Sequence, residues 1–230
     1  MITIVIPTYN EEKNISKIFK KLINIRLISE IIFVDDNSSD KTEHELSKLK
    51  KSKKLKFFIR KEKERDLSKS VVFGFHKSKN NTILVMDCDL QHDPKYIKKL
   101  WSQLKEKKYD IVVASRFLKN NYSGNVSYLR TLISKLAIYF INIIFGKKTS
   151  DPLSGFFMCD KRLVLKYKKK LYQKGYKILF DIIYNTHNKI RVKDVEIRFK
   201  KRVHERSKFN IQVIWLFLKQ IIFTKFVVKK

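Results

Sequence analysis

The chain has 230 residues, 43% of them apolar, which suits one domain, alone or with an appendage, and excludes an intrinsically disordered chain. Its 52 Lys and Arg against 22 Asp and Glu leave a net charge of +30, a surface that attracts polyanions such as nucleic acid, anionic headgroups or phosphorylated substrates. Only two cysteines, Cys88 and Cys159, and five scattered glycines exclude a disulfide framework, a zinc ribbon, a P-loop and the GxGxxG fingerprint.

In chain order, Ile2, Ile4, Val5 and Ile6 predict a strand over Ile2–Ile6 that begins at once, leaving no room for a targeting segment and favouring a cytoplasmic location. Further strands are expected over Glu30–Val34, Leu55–Ile59, Thr82–Met86 and Asp110–Ala114. Helical spacing of apolar residues marks 11–25, 40–50, 67–79 and 94–107, with Asp40 and Asp93 placed as N-caps and Pro94 in a first turn. This alternation predicts an α/β fold, a mostly parallel sheet with helices on both faces. Beyond about residue 120 the pattern turns to long helices with one more strand, Val192–Phe199. Leu129–Phe145 and Ile211–Val228 are nearly apolar, but Arg130 and Lys135 interrupt the first and Lys219, Gln220 and Lys225 the second. They read as amphipathic helices lying on a membrane or packing on the body, not as spans.

Ligands of open α/β sheets bind beyond the carboxyl ends of the strands. Here those ends run into Pro7-Thr8-Tyr9-Asn10-Glu11, Asp35-Asp36-Asn37-Ser38-Ser39-Asp40, Asp87-Cys88-Asp89-Leu90-Gln91-His92 and Ser115-Arg116. On extended chain Asp87 and Asp89 would point to the same side, and paired oxygen donors suit Mg²⁺ or Mn²⁺ beside a diphosphate, with Gln91 adding an amide oxygen. His92 is expected to be structural or solvent-facing, not a base.

The segments IPTYNEEKNI, IIFVDDNSSDKT, ILVMDCDLQHDP, DIVVASRF, LRTLISKLA, SDPLSGFFM, GYKILF and RVHERSKF, in that order, resemble family 2 glycosyltransferases of the dolichyl-phosphate or polyprenyl-phosphate mannose synthase type, over about residues 2–209. The resemblance implies a GT-A catalytic domain, here over 1–209; the pattern of the chain itself leaves 210–230 as a C-terminal amphipathic helix, either membrane-interfacial or packed on the body or in a dimer contact. The resemblance also implies inverting transfer of a sugar from a nucleotide sugar, GDP-mannose first and UDP-glucose next, to a polyprenyl phosphate, with Mg²⁺ or Mn²⁺. Matched by position, Pro7, Tyr9, Glu11, Val34 and Asp36 would hold the nucleoside. Asp87, Cys88 (by backbone only), Asp89 and Gln91 would form the metal and diphosphate site. Arg116, Arg130, Ser134, Arg202 and Lys208 would bind donor and acceptor phosphates. Asp87, Asp89 and Arg116 would carry the catalysis.

Independently of the resemblance, several cations are expected where two phosphate-bearing substrates meet, and Arg116 and Arg130 use Arg in a chain where only ten of the 52 cations are Arg. A lipid phosphate is ionised near neutral pH and needs no general base. Arg130 and Ser134, four apart near a helix N-terminus, share one face. Two departures from the family pattern stand out. Arg65-Asp66-Leu67 replaces Arg-Gly-Leu, placing a carboxylate where backbone would approach the nucleotide, and Glu205-Arg206-Ser207-Lys208 replaces Gly-Glu-Ser-Lys in a mobile loop. Membrane association is expected to be peripheral, on the cytoplasmic face, or through a separate membrane partner.

Two other readings stand beside this one. Transfer to a sugar hydroxyl would need a base carboxylate, with Asp151 and Asp181 as candidates. A nucleic-acid-binding protein would explain the charge but not the acidic strand ends, so nucleic acid is not expected as a partner.

Overall fold

A computed structural model describes residues 1–62, 64–118, 128–186, 189–199 and 211–226, with the backbone alone at 128–130 and 211–212. In chain order the elements are β1 (Ile2–Thr8), α1 (Ile15–Ile23), β2 (Ile28–Asp35), α2 (Thr42–Lys48), β3 (Leu55–Ile59), α3 (Leu67–Lys77), β4 (Thr82–Val85), α4 (Ile97–Lys105), β5 (Ile111–Ser115), α5 (Tyr128–Phe145), β6 (Phe157–Asp160), α6 (Lys161–Lys166), α7 (Ile178–Asn185), β7 (Val192–Glu196) and α8 (Ile211–Phe226). Among the described residues the strands form one sheet ordered β3-β2-β1-β4-β6-β5-β7. Only β6 runs antiparallel, between β4 and β5. The predicted mostly parallel α/β architecture is the one observed.

Side-chain alternation along the strands divides the core between the two faces of the sheet. Ile2, Ile4 and Ile6 of β1 pack with Ile15, Ile18 and Leu22 of α1 and with Leu46 and Leu100 from α2 and α4. Val5 points the other way, to Val71 and Phe75 of α3, Val164 of α6 and Ile182 of α7. α3 approaches β1 so closely that a Cβ on Gly74 would fall 2.4 Å from Val5 Cγ1, so only glycine fits there.

Pairing β1 with β2 in parallel sets Pro7 beside Val34 and Thr8 beside Asp35. Pairing β1 with β4 brings the segment after Val85 alongside them, since Met86 N–H donates to Val5 O. Asp40 accepts from Thr42 N–H at the start of α2, and Asp93 accepts from Lys95 N–H in a single 3₁₀ turn, Pro94–Tyr96, that leads into α4.

The structure differs from the expectation after Met86. There the chain leaves the ladder, bends at 88–90 and turns left-handed at Leu90 (φ 63°). The two aspartates therefore do not project equally from one extended strand. The Asp87 side chain is 38% exposed, whereas Asp89 is buried and accepts from Gln91 N–H at 3.1 Å, a local turn that competes with extension. β6, α6 and α7 were not anticipated either, and the last strand stops at Glu196 instead of Phe199.

Candidate active site

The ends of β1 and β2 are braced by their own side chains. Asp35 accepts from Thr8 Oγ1, Ser38 N–H and Ser38 Oγ, and Glu11 accepts from Asn14 Nδ2 at 2.7 Å while its N–H donates to Thr42 Oγ1. Pro7 and Val34 are buried side by side, and Tyr9 lies at the rim with the Arg65 guanidinium 4.0 Å above its ring. Asp36 is buried and tied twice, by Arg60 Nη1 at 2.7 Å and by Asp66 N–H. Burial pushes its carboxyl above the usual range against the pull of the Asp66 N–H and Arg60. Its remaining lone pairs can still accept from a nucleoside. Arg60, missed in the motif reading, also reaches Ser70 Oγ, Asp66 O and Glu62.

Asp66 corrects an expectation. Its carboxylate is turned into the body: it caps α3 by accepting from Lys69 N–H and holds Gly175 N–H at 2.8 Å, and it is buried. Desolvation raises its pKa as well.

At the end of β4, Asp87 stands over a buried histidine. Asp87 N–H donates to His92 Nδ1 at 3.0 Å, so Nε2 carries the proton of the neutral ring, 3.7 Å from Asp87 Oδ2. His92 is stacked 4.8 Å from Phe156 and tilted against Phe199 at 5.2 Å. It is buried and not solvent-facing. Gly155 completes this seat: a Cβ there would lie 2.7 Å from Asp87 Oδ2.

Among the described residues no cluster of three or more His, Cys, Asp or Glu could cage a metal. By donor chemistry alone, the Asp87 and Asp89 carboxylates and the Gln91 amide are hard oxygen ligands of the kind that Mg²⁺ and Mn²⁺ take, and Asp87 and Gln91 line the cavity described below.

Arg116, just past β5, grips fully buried Asp151 with both arms, Nε to Oδ2 at 2.7 Å and Nη2 to Oδ1 at 2.9 Å. The loop carrying Asp151 is anchored to β7 by Asp194, which accepts from Thr149 Oγ1 and from Ser150 N–H and Oγ. Asp181 in α7 accepts from Tyr172 N–H, Gln173 N–H and Asn185 Nδ2, and burial raises its pKa. Both carboxylates considered as bases are already engaged: Asp151 answers Arg116, and Asp181 holds the turn before α7.

A cavity of about 570 Å³ opens between this edge and the helices α5 and α8. Asp87, Gln91, His92, Arg116, Ser134 and Lys177 give its polar lining, whereas Ile133, Phe140 and Ile144 from α5 and Ile214, Phe217 and Ile221 from α8 give an apolar one. Arg116 and Ser134 both line this cavity. Arg130 lies one turn before Ser134 in α5, its side chain outside the described residues, as are Arg202 and Lys208 and the departing 205–208 segment.

The model of the family described as glycosyl transferase family 2 matches residues 3–168. The chain belongs to that family. It is 35% identical over 224 residues to a dolichol-phosphate mannosyltransferase of Pyrococcus furiosus, covering 96% of this chain and 62% of the relative, so that it spans less than two thirds of that protein. A second dolichol-phosphate mannosyltransferase, from Saccharomyces cerevisiae, is 26% identical over 95% of this chain and 85% of its own length. Among solved structures, glucosyl-3-phosphoglycerate synthase from Mycobacterium tuberculosis with Mn²⁺, uridine diphosphate and glucosyl-3-phosphoglycerate superposes with a TM-score of 0.73 at 17% identity, covering 97% of this chain and 78% of that one. That likeness bears on the fold alone, which is GT-A.

Proposed function

We propose that this chain transfers a sugar from a nucleotide sugar to the phosphate of a polyprenyl or dolichyl lipid at a membrane surface, with GDP-mannose as the favoured donor and UDP-glucose the next. The observation that carries this reading is the two-sided cavity: Asp87 and Arg116 share one space with an apolar cleft between α5 and α8. A phosphate headgroup suits the first and a hydrocarbon chain the second.

In this reading the nucleoside rests against Pro7, Tyr9, Glu11, Val34 and Asp36, and the diphosphate meets the 87–91 segment. A divalent cation at Asp87 and Asp89 would supply charge neutralisation for the departing nucleoside diphosphate. Ser134 and Arg116 orient the acceptor phosphate oxygen for in-line attack on the anomeric carbon, and Asp151 fixes the Arg116 plane. The nucleophile arrives ionised, consistent with a site whose Asp151 and Asp181 are both committed elsewhere. Transfer to a sugar hydroxyl loses its base candidates on the same ground.

Peripheral membrane contact rests on the outer faces of the same helices. Leu136, Tyr139 and Ile143 on α5, with Trp215, Ile222 and Phe226 on α8, are exposed, and Lys219 and Lys225 lie against Trp215 and Phe226. No helix among the described residues is long and apolar enough to cross a membrane. α8 also packs on the body through Phe217 against Phe180 and Phe223 against Tyr172, so the proposed boundary near 209 separates an attached helix, not a free one.

The test is a donor panel: purified protein, Mg²⁺ or Mn²⁺, polyprenyl phosphate in detergent and labelled nucleotide sugars, followed by organic extraction. Metal-dependent label in the lipid phase supports the reading and names the sugar. Release of nucleoside diphosphate only with a hydroxyl acceptor overturns it.

A further inference from the structure

Asp87 sits where the sheet gives out, and a backbone N–H that leaves a ladder needs another partner. Met86 N–H still donates to Val5 O of β1, but the next backbone donor, Asp87 N–H, goes to His92 Nδ1 at 3.0 Å. The left-handed turn at Leu90 (φ 63°) brings the chain back so that the ring can reach. Directly after it, Asp93 accepts from Lys95 N–H and starts the 3₁₀ turn into α4, so the imidazole ties the end of β4 to the next helix.

The ring is itself held in place, stacked on Phe156, tilted against Phe199 and only 2% exposed. Because Nδ1 accepts, the ring proton stands on Nε2, 3.7 Å from Asp87 Oδ2. That separation is beyond a hydrogen bond, so Nδ1 makes the contact that fixes the residue and Nε2 only flanks its carboxylate. Gly155 limits the carboxylate from another side, since a Cβ there would lie 2.7 Å from Oδ2. What results is a carboxylate 38% exposed at the cavity on a backbone clasped by a buried ring. Outer groups of this kind set the aim of a metal-binding carboxylate, and losing one costs about ten- to a hundredfold in metal affinity.

We propose that His92 is a positioning residue: through Nδ1 it clasps the Asp87 backbone and so fixes the carboxylate for a divalent cation bound with the nucleoside diphosphate. This rests on the cation proposed above at Asp87 and Asp89. The test follows Mn²⁺ binding by electron paramagnetic resonance to the full chain saturated with GDP or UDP, for the wild type, His92→Phe, His92→Asn and Asp87→Ala, with calorimetry of the same nucleotide without metal. His92→Phe keeps an aromatic ring between Phe156 and Phe199 but removes the acceptor. It raises the Mn²⁺ Kd by about tenfold or more while metal-free nucleotide binding stays within about twofold. His92→Asn, whose amide oxygen lies at the place of Nδ1, recovers most of the loss. A residue needed only for folding would lower the melting temperature without that split or that recovery. Where His92→Phe does not fold, His92→Gln, which offers no acceptor at the Nδ1 position, takes its place. An unchanged Mn²⁺ Kd in the folded variant, or no recovery in His92→Asn, overturns the assignment alone. No Mn²⁺ binding by the wild-type chain, or binding that Asp87→Ala leaves unchanged, overturns the cation reading, and this assignment with it.

Discussion

At the carboxyl ends of β1 and β2, polar side chains are met by other polar groups: Asp35 by Thr8 and Ser38, Asp36 by Arg60 and Asp66, Glu11 by Asn14. Across the cavity, α5 and α8 present Phe140, Ile144, Phe217 and Ile221 inward and leave Tyr139, Trp215 and Phe226 uncovered outward. A nucleotide is recognised by hydrogen bonds at fixed positions, which a cross-braced edge provides. A hydrocarbon chain asks only for an apolar slot of adequate width, which two helices provide without any set register. The difference teaches that the two proposed substrates place different demands on precision, so substitutions on the two sides should fail in different ways.

The largest loss is expected where the sides meet. Asp89→Ala, Asp87→Ala or chelation of the divalent ion should cut transfer by about a thousandfold or more while thermal melting shows a folded protein, read by label in the lipid phase. Arg116→Met should lower the rate by about a hundredfold and also destabilise the chain by about 3 kcal/mol, because Asp151 is left buried and unpaired; urea unfolding measures the second effect. Gly155→Ala should reduce kcat/KM by about tenfold, since displacing Asp87 by a few tenths of an ångström spoils its aim, and the metal concentration for half-maximal rate should rise with it. The smallest catalytic effect belongs to the far side. Trp215→Ser combined with Ile222→Ser should leave kcat/KM for a short acceptor in detergent within twofold while reducing sedimentation with anionic vesicles by about tenfold. Equal losses in detergent and on vesicles would mean that these side chains serve the cavity, not the membrane.

What the sequence disclosed divides along the same line. The strand ends were legible because buried apolar runs such as Ile83–Met86 break abruptly into acidic and amide residues, which no core requires. The antiparallel β6 was not, because four residues between a glycine-bearing loop and α6 carry no period of their own and take their place only from neighbours on both sides. Nor could spacing show that Asp36 is held by Arg60, or that Asp66 turns inward to Gly175, since those contacts join segments 24 and 109 residues apart. One available signal was passed over: Arg60 is among the ten arginines of a lysine-rich chain, the same cue that singled out Arg116 and Arg130. The misjudged orientation of Asp87 and Asp89 came from extending strand geometry past the last ladder hydrogen bond, where Asp89 and Leu90 form a turn instead.

The central claim is that the nucleophile is an ionised lipid phosphate and that no side chain acts as its base. Comparing transfer to a polyprenyl phosphate with transfer to the polyprenol of the same length, with one donor and one metal, tests it most directly. The account predicts label on the phosphate alone and none above background on the alcohol. Transfer to the alcohol at a comparable rate would contradict it, and would require a base that neither Asp151 nor Asp181 is placed to be.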